Sequence, residues 1–401
     1  MIKNTNIVKK ANQALVLDSI MKNKKITIEE IMNQTGLSRT TVLSILKDLS
    51  EKKLIEKRGR VHQSVGRQPV LYALSRDEYF VIGVDVDVAP IYLNIARLDG
   101  KSVYSRQWEV SLNANANELE SALIKNIETA LSVAKISRKK IIGLGLGLPG
   151  IINVNQNRAT EISRIRGWKE DNCIAEVLEE KFGFPIYVRN DTHLLGHMEV
   201  TSEGENMLYI LHRSGIGMAP VINGEVYEGT FGNSGYIGHT RVDSKGKICN
   251  CGAKDCLELY CSKRSIEAEY EHASGKTSGY DELISLAEEG DPAAIKIFEH
   301  AGHYLGVGIS NAMKTYDISN VVLGDLRCDE NHVFYQQILL SVKQHMVNVS
   351  IKEPTVILSK YTKEMYGLGA CQFVLENFFE QPKLHTNIDE NGGEWLENES
   401  L

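Results

Sequence analysis

The chain has 401 residues, of which 42% are hydrophobic, and a formal net charge of -7. A chain of this length buries a full hydrophobic core and divides into two or three domains. Nothing in it approaches the ~20 uninterrupted apolar residues of a membrane span, and its N-terminus lacks the apolar run of a signal peptide, so we expect a cytoplasmic protein without membrane contact.

The charge is distributed unevenly along the chain. Residues 1–75 hold 14 Lys or Arg against 6 Asp or Glu, about +8, which leaves about -15 for the rest. A basic N-terminal segment on an acidic body is typical of a protein whose first domain contacts the phosphates of a nucleic acid. Charge alone leaves open a second interpretation, a lysine-rich face that is merely solvated.

The first 50 residues predict three helices. Apolar residues at helical spacing predict a helix over about residues 6–23. Thr27 is placed to cap a short second helix, with Glu30 as its capping-box partner and Gly36 at its end. Ser38 is placed to cap a third helix. The buried side of that helix is predicted to hold Val42, Ile45, Leu46 and Leu49.

The turn between the second and third helices has the spacing of a helix-turn-helix, in which the second helix of the motif enters the major groove and its N-terminal residues contact base edges. The predicted DNA-contacting residues of this helix are Ser38, Arg39, Thr40, Thr41 and Ser44. Two strands around a glycine-containing tip follow, a wing whose Arg58, Arg60 and Arg67 are available for phosphates or a narrow minor groove. We therefore predict a winged helix-turn-helix over residues 1–75. A three-helix protein-binding module is the alternative, but it leaves the basic charge without a role.

After residue 75 the chain alternates short apolar runs with helical stretches. YFVIGVDVDV and MLYILHRSGIG have the length of strands, whereas NELESALIKNIETALSVAK has the length of a helix. This alternation predicts an α/β architecture with a largely parallel sheet and glycine-rich turns that face a ligand. Residues 381–401 are acidic and lack periodicity, which predicts a disordered tail.

Three of the seven cysteines lie close together in the segment ICNCGAKDC, as Cys249, Cys251 and Cys256, and His239 precedes them. One imidazole and three thiolates complete a tetrahedral zinc shell with no open position, which is the arrangement of a structural site. This spacing suits a metal in a reducing compartment better than it suits disulfides. The sequence therefore predicts structural zinc, and a chance cluster of loop cysteines is the alternative.

The segment GYIGHTRVDSKGKICNCGAKDCLE resembles the signature of the ROK family, whose name joins repressors, open reading frames and sugar kinases. The segments GLGLGLPGIIN, YVRND and SGIGMAPVINGEVYEG resemble further motifs of that family. The likeness extends from about residue 78 to 375. The N-terminal segment resembles the winged helix of the repressor branch, which includes the xylose and N-acetylglucosamine repressors.

The resemblance implies an actin-like, ribonuclease-H-like fold of two lobes, as in sugar kinases, with a sugar cleft between them. Lobe 1 would cover residues 76–191 and be completed by a C-terminal helix at about 364–380. Lobe 2 would cover residues 192–363 and carry the zinc loop.

The resemblance also implies the residues of the sugar cleft. Asn190 matches the sugar-binding Asn, and Asp191 matches the catalytic base. His239 matches the zinc histidine that also touches the sugar, and Glu258 matches a second acceptor of sugar hydroxyls. Gly150 and Ser163 fall where the other wall of the cleft is expected. Without the resemblance, Asp191 would be interpreted as a turn residue or helix cap.

Three departures from the family pattern bear on activity. The glycine-rich phosphate turn is replaced by DVDVA at residues 85–89, and a Gly-Gly pair on the adenosine side is replaced by Gly324 and Asp325. Added carboxylates and side chains disfavour a nucleotide by charge repulsion and crowding, so we expect a vestigial kinase fold and no enzyme. Tyr236 stands in place of a sugar-binding Glu, which predicts a different ligand, weak binding or a degenerate cleft.

These features predict a homodimer, or a dimer of dimers, that binds a palindromic double-stranded operator and represses carbohydrate-utilisation genes. A sugar or sugar derivative is the expected effector, because the cleft matches that of a kinase. Two alternatives stay open: a sugar kinase that retains a DNA-binding domain, and a repressor relieved by a protein partner.

Overall fold

The computed structural model describes residues 2–60, 68–87, 90–111, 114–162, 165–202, 204–346 and 353–380, with side chains described from residue 8. The chain divides into two compact units. Unit 1 consists of Met1–Leu148, Asn157–Arg189 and Glu364–Leu401. Unit 2 consists of Pro149–Gln156 and Asn190–Lys363. Gly150, Asn190 and Asp191, which the resemblance placed in or beside lobe 1, therefore belong to unit 2.

The N-terminal segment folds as three helices and a small sheet. Its elements are α1 (Ile2–Asn23), β1 (Ile26–Thr27), α2 (Ile28–Thr35), α3 (Arg39–Glu51), β2 (Ile55–Arg60) and β3 (Val70–Leu74). The central strand β3 pairs antiparallel with both β1 and β2. Strand β1 was not predicted, because two residues are too few to show an alternating pattern. The predicted tip of the wing falls on residues 61–67, so Arg67 lies outside the described residues.

The predicted helix caps are confirmed. The Thr27 hydroxyl accepts from the N–H of Glu30 at 3.3 Å, and the Glu30 carboxylate accepts from the N–H of Thr27 at 2.8 Å. Gly36 ends α2 in the left-handed conformation, with φ of 70°, where a residue without Cβ is favoured. The side chain of Ser38 caps α3, and the four apolar residues predicted to be buried on that helix are buried.

The remaining strands follow in chain order. They are β4 (Phe80–Val86), β5 (Ile91–Arg97), β6 (Ser102–Trp108), β7 (Ile141–Leu148), β8 (Gly150–Asn153), β9 (Arg158–Ile162), β10 (Ile186–Asn190), β11 (Met207–His212), β12 (Ile216–Ile222), β13 (Glu225–Val226), β14 (Asn320–Gly324) and β15 (Thr355–Leu358). The remaining helices are α4 (Ala116–Ala134), α5 (Ile174–Phe182), α6 (Asp191–Glu199), α7 (Glu258–Cys261), α8 (Lys263–Ser274), α9 (Tyr280–Glu288), α10 (Pro292–Tyr316), α11 (Val333–His345) and α12 (Gly367–Glu380). Short 3₁₀ turns lie at Arg138–Lys140, Ile237–His239 and Lys363–Met365.

Each unit contains a five-stranded sheet of the same design. The strand order is β6-β5-β4-β7-β10 in unit 1 and β13-β12-β11-β14-β15 in unit 2. In both, the first three strands in sequence pair antiparallel, and the next strand pairs parallel with the first. The sheets are therefore mixed rather than largely parallel, because short turns join the first three strands as hairpins and only a strand that follows a helix returns in parallel.

Helix α12 lies directly against the sheet of unit 1. A Cβ atom on Gly83 of β4 would come within 1.9 Å of the Gly367 carbonyl oxygen, and one on Gly145 of β7 within 2.5 Å of the Ala370 carbonyl oxygen. Only glycine permits this approach of helix backbone to strand. In the segment GLGLGLPG, the glycines of β7 thus allow α12 to pack closely on this strand. This role is additional to the turn that was predicted at the end of the segment.

The N-terminal segment and the sheet of unit 1 share one hydrophobic cluster. Val16, Leu17 and Ile20 of α1 belong to it together with Phe378 and Phe379 of α12. The cluster also includes apolar residues of the winged helix and of the sheet, among them Leu49, Leu54, Val81, Ala96 and Ile142. The winged helix is therefore packed onto unit 1 through α12 and is not a separate compact body.

Unit 2 has its own core between its sheet and the helices that follow it. Helix α10 is central to this core and contributes Phe298, Leu305 and Ile309, all fully buried. Among the described residues, no helix is both long enough and apolar enough to span a membrane.

Candidate functional site

A cluster of four potential metal ligands lies in unit 2. The ligand atoms of His239, Cys249, Cys251 and Cys256 all lie within 4.8 Å of one another. The Sγ atoms of Cys251 and Cys256 are 3.7 Å apart, as are His239 Nδ1 and Cys249 Sγ. A tetrahedron with Zn–S bonds of about 2.3 Å has edges of about 3.7 Å. These residues therefore have the spacing that a bound metal ion requires.

The backbone between the cysteines is folded tightly around the cluster. The N–H of Cys249 donates to the Ala253 carbonyl at 2.8 Å, and the N–H of Gly252 donates to the Cys249 carbonyl at 2.9 Å. Buried Asp255 accepts from the N–H groups of Gly246 and Lys247 and from the Tyr260 hydroxyl. This one carboxylate connects the loop to α7, so the loop has a defined conformation.

The thiols of the cluster differ in acidity. Burial raises the pKa of the Cys249 thiol to about 12 and also raises the pKa of Cys256. The N–H of Ala253 lowers the pKa of Cys251. A metal ion must therefore displace protons from two buried thiols, and its binding strengthens as the pH rises.

The predicted sugar residues Asn190 and Asp191 form the start of helix α6. The Asn190 side chain caps this helix, because its Oδ1 accepts from the N–H of His193 at 3.2 Å. Its Nδ2 donates to the Gly150 carbonyl at 3.3 Å. Asp191 Oδ1 accepts from the N–H of Thr192 at 2.8 Å. Both side chains thus have structural roles in the turn, and these fix their orientation.

Tyr236 lies on the same side of the site as Asn190. Its hydroxyl donates to the Gly150 carbonyl at 3.2 Å, so Tyr236 and Asn190 both donate to one oxygen atom. The ring of Tyr236 is partly exposed and lies 6.1 Å from the ring of His239. Tyr236 therefore links the Gly150 turn to the cysteine-rich loop, and its ring face is available to an apolar face of a ligand.

Glu258 connects the metal cluster with this group of residues. Its Oε1 lies 3.2 Å from Cys249 Sγ and 3.6 Å from His239 Nδ1. Its other carboxylate oxygen lies close to the Gly215 turn that follows β11. The structure thus brings Gly150, Asn190, Asp191, Tyr236, His239 and Glu258 together within unit 2. Ser163 lies outside the described residues.

A network of buried charges adjoins Asp191. Arg213 Nη1 lies 3.1 Å from Asp191 Oδ2, and their side chains are 5% and 7% exposed. Arg213 Nε lies 3.6 Å from Asp325 Oδ2. Asp325 also contacts Lys263 at 2.9 Å and Arg327 at 2.8 Å. Asp325, which was predicted to repel a nucleotide, is thus surrounded by three cations of the protein itself.

The network shifts the acidities of its members. Burial opposes ionisation of Asp325, but Lys263, Arg213 and Arg327 outweigh it and lower its pKa to about 2. Burial lowers the pKa of Lys263 to about 8. Sequence reasoning missed Arg213, Lys263 and Arg327. The available signal was a charged residue directly after the buried strand MLYILH, at a position where a strand end faces a ligand.

The predicted DNA-contacting residues lie at one end of α3. Arg39, Thr40 and Ser44 are exposed, whereas Thr41 is half-buried. The Ser38 hydroxyl lies 2.9 Å from the hydroxyls of both Thr40 and Thr41. On the wing, Arg60 is exposed, and Arg58 is half-buried and paired with Glu56. Arg58 is therefore less available for a phosphate than the sequence predicted.

The chain is similar in sequence to transcription regulators. The model of the ROK family matches residues 81–377, and that of the MarR family matches residues 10–67. The chain is 27% identical over 388 residues to a xylose repressor of Bacillus spizizenii, which covers 96% of this chain and 100% of the relative. It is 24% identical over 337 residues to the transcriptional dual regulator NagC of Escherichia coli, covering 80% of this chain and 82% of the relative.

Solved structures share the fold. A ROK family transcriptional regulator, homologous to the Escherichia coli MLC protein, superposes with a TM-score of 0.79 at 19% identity and covers 93% of this chain and 98% of its own. A ROK family glucokinase from Streptomyces griseus, solved with glucose and AMPPNP, has a TM-score of 0.63 at 20% identity. The match covers 73% of this chain and 98% of the glucokinase chain. Because the family model matches well over half of its residues, the chain belongs to the ROK family, and it carries a MarR-like winged helix at its N-terminus.

Proposed function

We propose that the protein is a sugar-responsive transcriptional repressor that binds a two-fold symmetric operator as a homodimer. The observation that carries this proposal is the combination, in one chain, of an exposed recognition helix and a cluster of polar residues suited to a sugar. The xylose repressor named above matches 96% of the chain, and therefore both parts. One recognition helix reads too few base pairs for specificity, and two helices spaced by a turn of DNA read a two-fold site.

The recognition surface consists of Arg39, Thr40 and Ser44, with Arg60 on the wing as a phosphate contact. Arg39 is the strongest candidate for reading a base, because a guanidinium donates two parallel hydrogen bonds to guanine in the major groove. Ser38 is better explained as the cap that fixes the start of the helix, and Thr41 supports it through the shared hydroxyl contacts. The excess basic charge of residues 1–75 supplies affinity for phosphates.

The effector is a sugar or sugar derivative bound at Asn190, Asp191, Tyr236, His239 and Glu258. Carboxylates and an amide accept and donate to adjacent hydroxyls of a ring, and the ring of Tyr236 covers an apolar face. Two carboxylates in this group favour a neutral sugar over an anionic one. D-xylose and N-acetyl-D-glucosamine are the first candidates, because the relatives include repressors named for them.

The four-residue cluster is proposed to hold structural zinc. Three thiolates and one imidazole are the donors that zinc prefers, and together they leave no position open for a substrate. The ion would fix the loop that places His239 and Glu258, so its loss would impair both stability and sugar binding.

Catalysis is not part of the proposal. A general base needs a carboxylate that is able to take a proton from a sugar hydroxyl, and the Asp191 carboxylate is instead paired with Arg213. On the nucleotide side, Asp325 lies in the turn after β14 and is paired with Arg213, Lys263 and Arg327. Two of the departures expected to disfavour ATP, Val88 and Ala89, lie outside the described residues.

The shared core of α1 and α12 supports coupling between the two functions. Asn190 directly follows the point where the chain leaves unit 1, and α12 begins shortly after the point where it returns. We propose that a sugar bound at Asn190 and Asp191 changes the DNA affinity of the winged helix through these two crossings of the chain between the units. Such a response requires the sugar to bind the two states with different affinity, which for known regulators amounts to ~1–3 kcal/mol.

Selection of DNA from a random pool, repeated in the presence of each sugar, tests the proposal. We expect a two-fold symmetric sequence, and release of that DNA by one sugar. An asymmetric or absent consensus would contradict the dimeric operator. Release by a protein from cell extract, with no effect of any sugar, would favour a repressor relieved by a partner.

A further inference from the structure

The buried charges beside Asp191 form a continuous path from the start of α6 into the helices of unit 2. Asp191 contacts Arg213, and Arg213 is also paired with Asp325. Lys263 and Arg327 contact the same Asp325 carboxylate. We propose that Arg213 is a positioning residue of the sugar site: it holds the Asp191 carboxylate in its binding orientation and anchors it to Asp325. This inference rests on the proposed sugar-responsive function.

The orientation of Asp191 depends on partners at both carboxylate oxygens. Oδ1 accepts from the N–H of Thr192 at 2.8 Å and from its hydroxyl at 3.3 Å. Oδ2 accepts from Arg213 Nη1 at 3.1 Å. The contacts with Thr192 come from the adjacent residue and move with the helix. Arg213 is thus a partner, distant in sequence, that holds the carboxylate with respect to the rest of unit 2.

Arg213 is itself held by its backbone and its side chain. Its N–H donates to the Gly215 carbonyl at 2.9 Å, and its carbonyl accepts from the N–H of Lys263 at 3.0 Å. Its guanidinium lies between Asp191 and Asp325, and a planar guanidinium suits contact with two carboxylates at once. A lysine at this position would supply the charge but only a single point of contact.

Asp325 is held firmly in place by its surroundings, since they keep it in a backbone conformation that is otherwise unfavourable. Asp325 and Arg327 have φ of 58° and 59°, in the left-handed region that residues with side chains seldom adopt. Such conformations persist where the surrounding contacts over-determine them. Here Asp325 meets three cations, and Arg327 extends the network to Asp281 at 2.9 Å. The turn after β14 therefore holds Arg213 in one place.

The fixed orientation of the Asp191 carboxylate is expected to affect sugar binding and not only the stability of the protein. A sugar hydroxyl donates to a carboxylate whose plane is already set, so little orientation entropy is lost on binding. Without Arg213, Asp191 Oδ2 would lose this contact, and the ligand would have to supply more of the orientation of the side chain. Arg213 thus raises sugar affinity without touching the sugar.

The test compares four full-length variants by calorimetric titration with D-xylose and with N-acetyl-D-glucosamine, and by thermal unfolding. Arg213→Gln removes the bridge, and Arg213→Lys preserves its charge. Asp325→Asn removes the anchor but leaves Arg213 in place. Arg158→Gln is the matched control, because it breaks an ion pair with Glu176 that lies outside this network.

We expect Arg213→Gln to weaken sugar binding about tenfold or more, Arg213→Lys to restore most of this loss, and Asp325→Asn to weaken binding about threefold to tenfold. Arg158→Gln is expected to leave sugar affinity within about twofold of that of the unmodified protein. If Arg213→Gln does not fold, Asp325→Asn decides, and unchanged sugar affinity in that variant overturns the inference. Equal sugar affinity in Arg213→Gln and the unmodified protein also overturns it. If the unmodified protein binds neither sugar, the proposed function fails first and the inference with it.

Discussion

The guanidinium of Arg189 lies over the ring of Phe373, with 4.5 Å between the guanidinium carbon and the ring centroid. Arg189 is the last residue of unit 1 before the chain enters unit 2 at Asn190. Phe373 lies on α12, whose end packs against the winged helix. This contact within unit 1 therefore links the residue directly before Asn190 to the helix that holds the DNA-binding domain.

Replacing Arg189 by Gln is expected to weaken the coupling between sugar and DNA. The stacking contact contributes on the order of 1 kcal/mol at a half-buried site, which is comparable to a typical coupling free energy. We expect the sugar-induced change in DNA affinity to fall at least about threefold, while DNA affinity without sugar is maintained. Fluorescence anisotropy with and without sugar measures both quantities.

The matched control for this prediction is Arg138→Gln. Arg138 lies in the same unit, and its guanidinium carbon is 5.0 Å from the ring centroid of Phe182 on α5 rather than of a residue on α12. An equal loss of coupling in both variants would show that the effect is not specific to the contact with α12.

Gly145→Ala is expected to destabilise the protein by about 1–3 kcal/mol, because its Cβ would meet the backbone of α12 and the helix would have to shift. Gly279→Ala is the control, since nothing lies within 4 Å of the added Cβ there. Chemical denaturation monitored by circular dichroism gives both values. Equal stability of the two variants would mean that α12 is not closely packed on β7.

Cys251→Ser is expected to abolish stoichiometric zinc and to lower the melting temperature by at least about 5 °C, because one of four ligands is lost. Cys251 is exposed, so the substitution removes little packing. Cys173→Ser, outside the cluster, serves as the control. Metal content by mass spectrometry and thermal unfolding with and without chelator check the prediction. Full zinc content in Cys251→Ser, or none in the unmodified protein, would refute it.

Buried His212 is expected to make the protein sensitive to acid. Burial lowers its pKa to about 3, whereas an unfolded histidine takes up its proton near pH 6.5. Between these values the unfolded chain binds the additional proton, so the free energy of unfolding falls as the pH decreases, by up to about 1.4 kcal/mol per pH unit from this residue. His212→Leu should remove that part of the slope.

The side chain of His212 lies between Tyr280 and Phe334, so leucine is tolerated at this position. It loses the hydrogen bond to the Cys261 carbonyl at 2.7 Å, which costs about 1 kcal/mol at neutral pH. His272→Leu, at an exposed position of α8, is the control. Denaturant unfolding from pH 4 to 7 measures the slopes, and identical slopes for His212→Leu and the unmodified protein would contradict the assignment.

Features that depend on neighbours in sequence were predictable. The capping box of Thr27 and Glu30 spans four residues, and all three cysteines of the cluster lie between residues 249 and 256, so the local pattern contains the whole interaction. The contact of Asn190 and Asp191 with Gly150 and Arg213 is different. Its partners lie 22 to 40 residues away. The family resemblance indicated that Gly150, Asn190 and Asp191 belong to one site, but it did not indicate Arg213.

The features that sequence reasoning missed depend on long-range packing. Arg213 and Asp325 are 112 positions apart in the sequence, and each alone resembles an ordinary charged residue of a turn. The resemblance implied a C-terminal helix at about 364–380, but not that α1 of the winged helix is among the elements that pack against it. A helical pattern of apolar residues predicts how much of a helix is buried, but it does not predict which element packs against that helix.

The central claim is tested most directly by the affinity for the selected operator duplex, measured by anisotropy at low and physiological ionic strength, with and without sugar. We predict that the protein binds the operator specifically and that one sugar weakens this binding about tenfold or more. Arg39→Ala should reduce the affinity for the operator much more than the affinity for unrelated DNA. The control variant Lys276→Gln, at an exposed position far along the chain, should leave the affinity for the operator unchanged. Failure to bind duplex DNA even at low ionic strength, or sugar-dependent formation of ADP from ATP, would contradict this account.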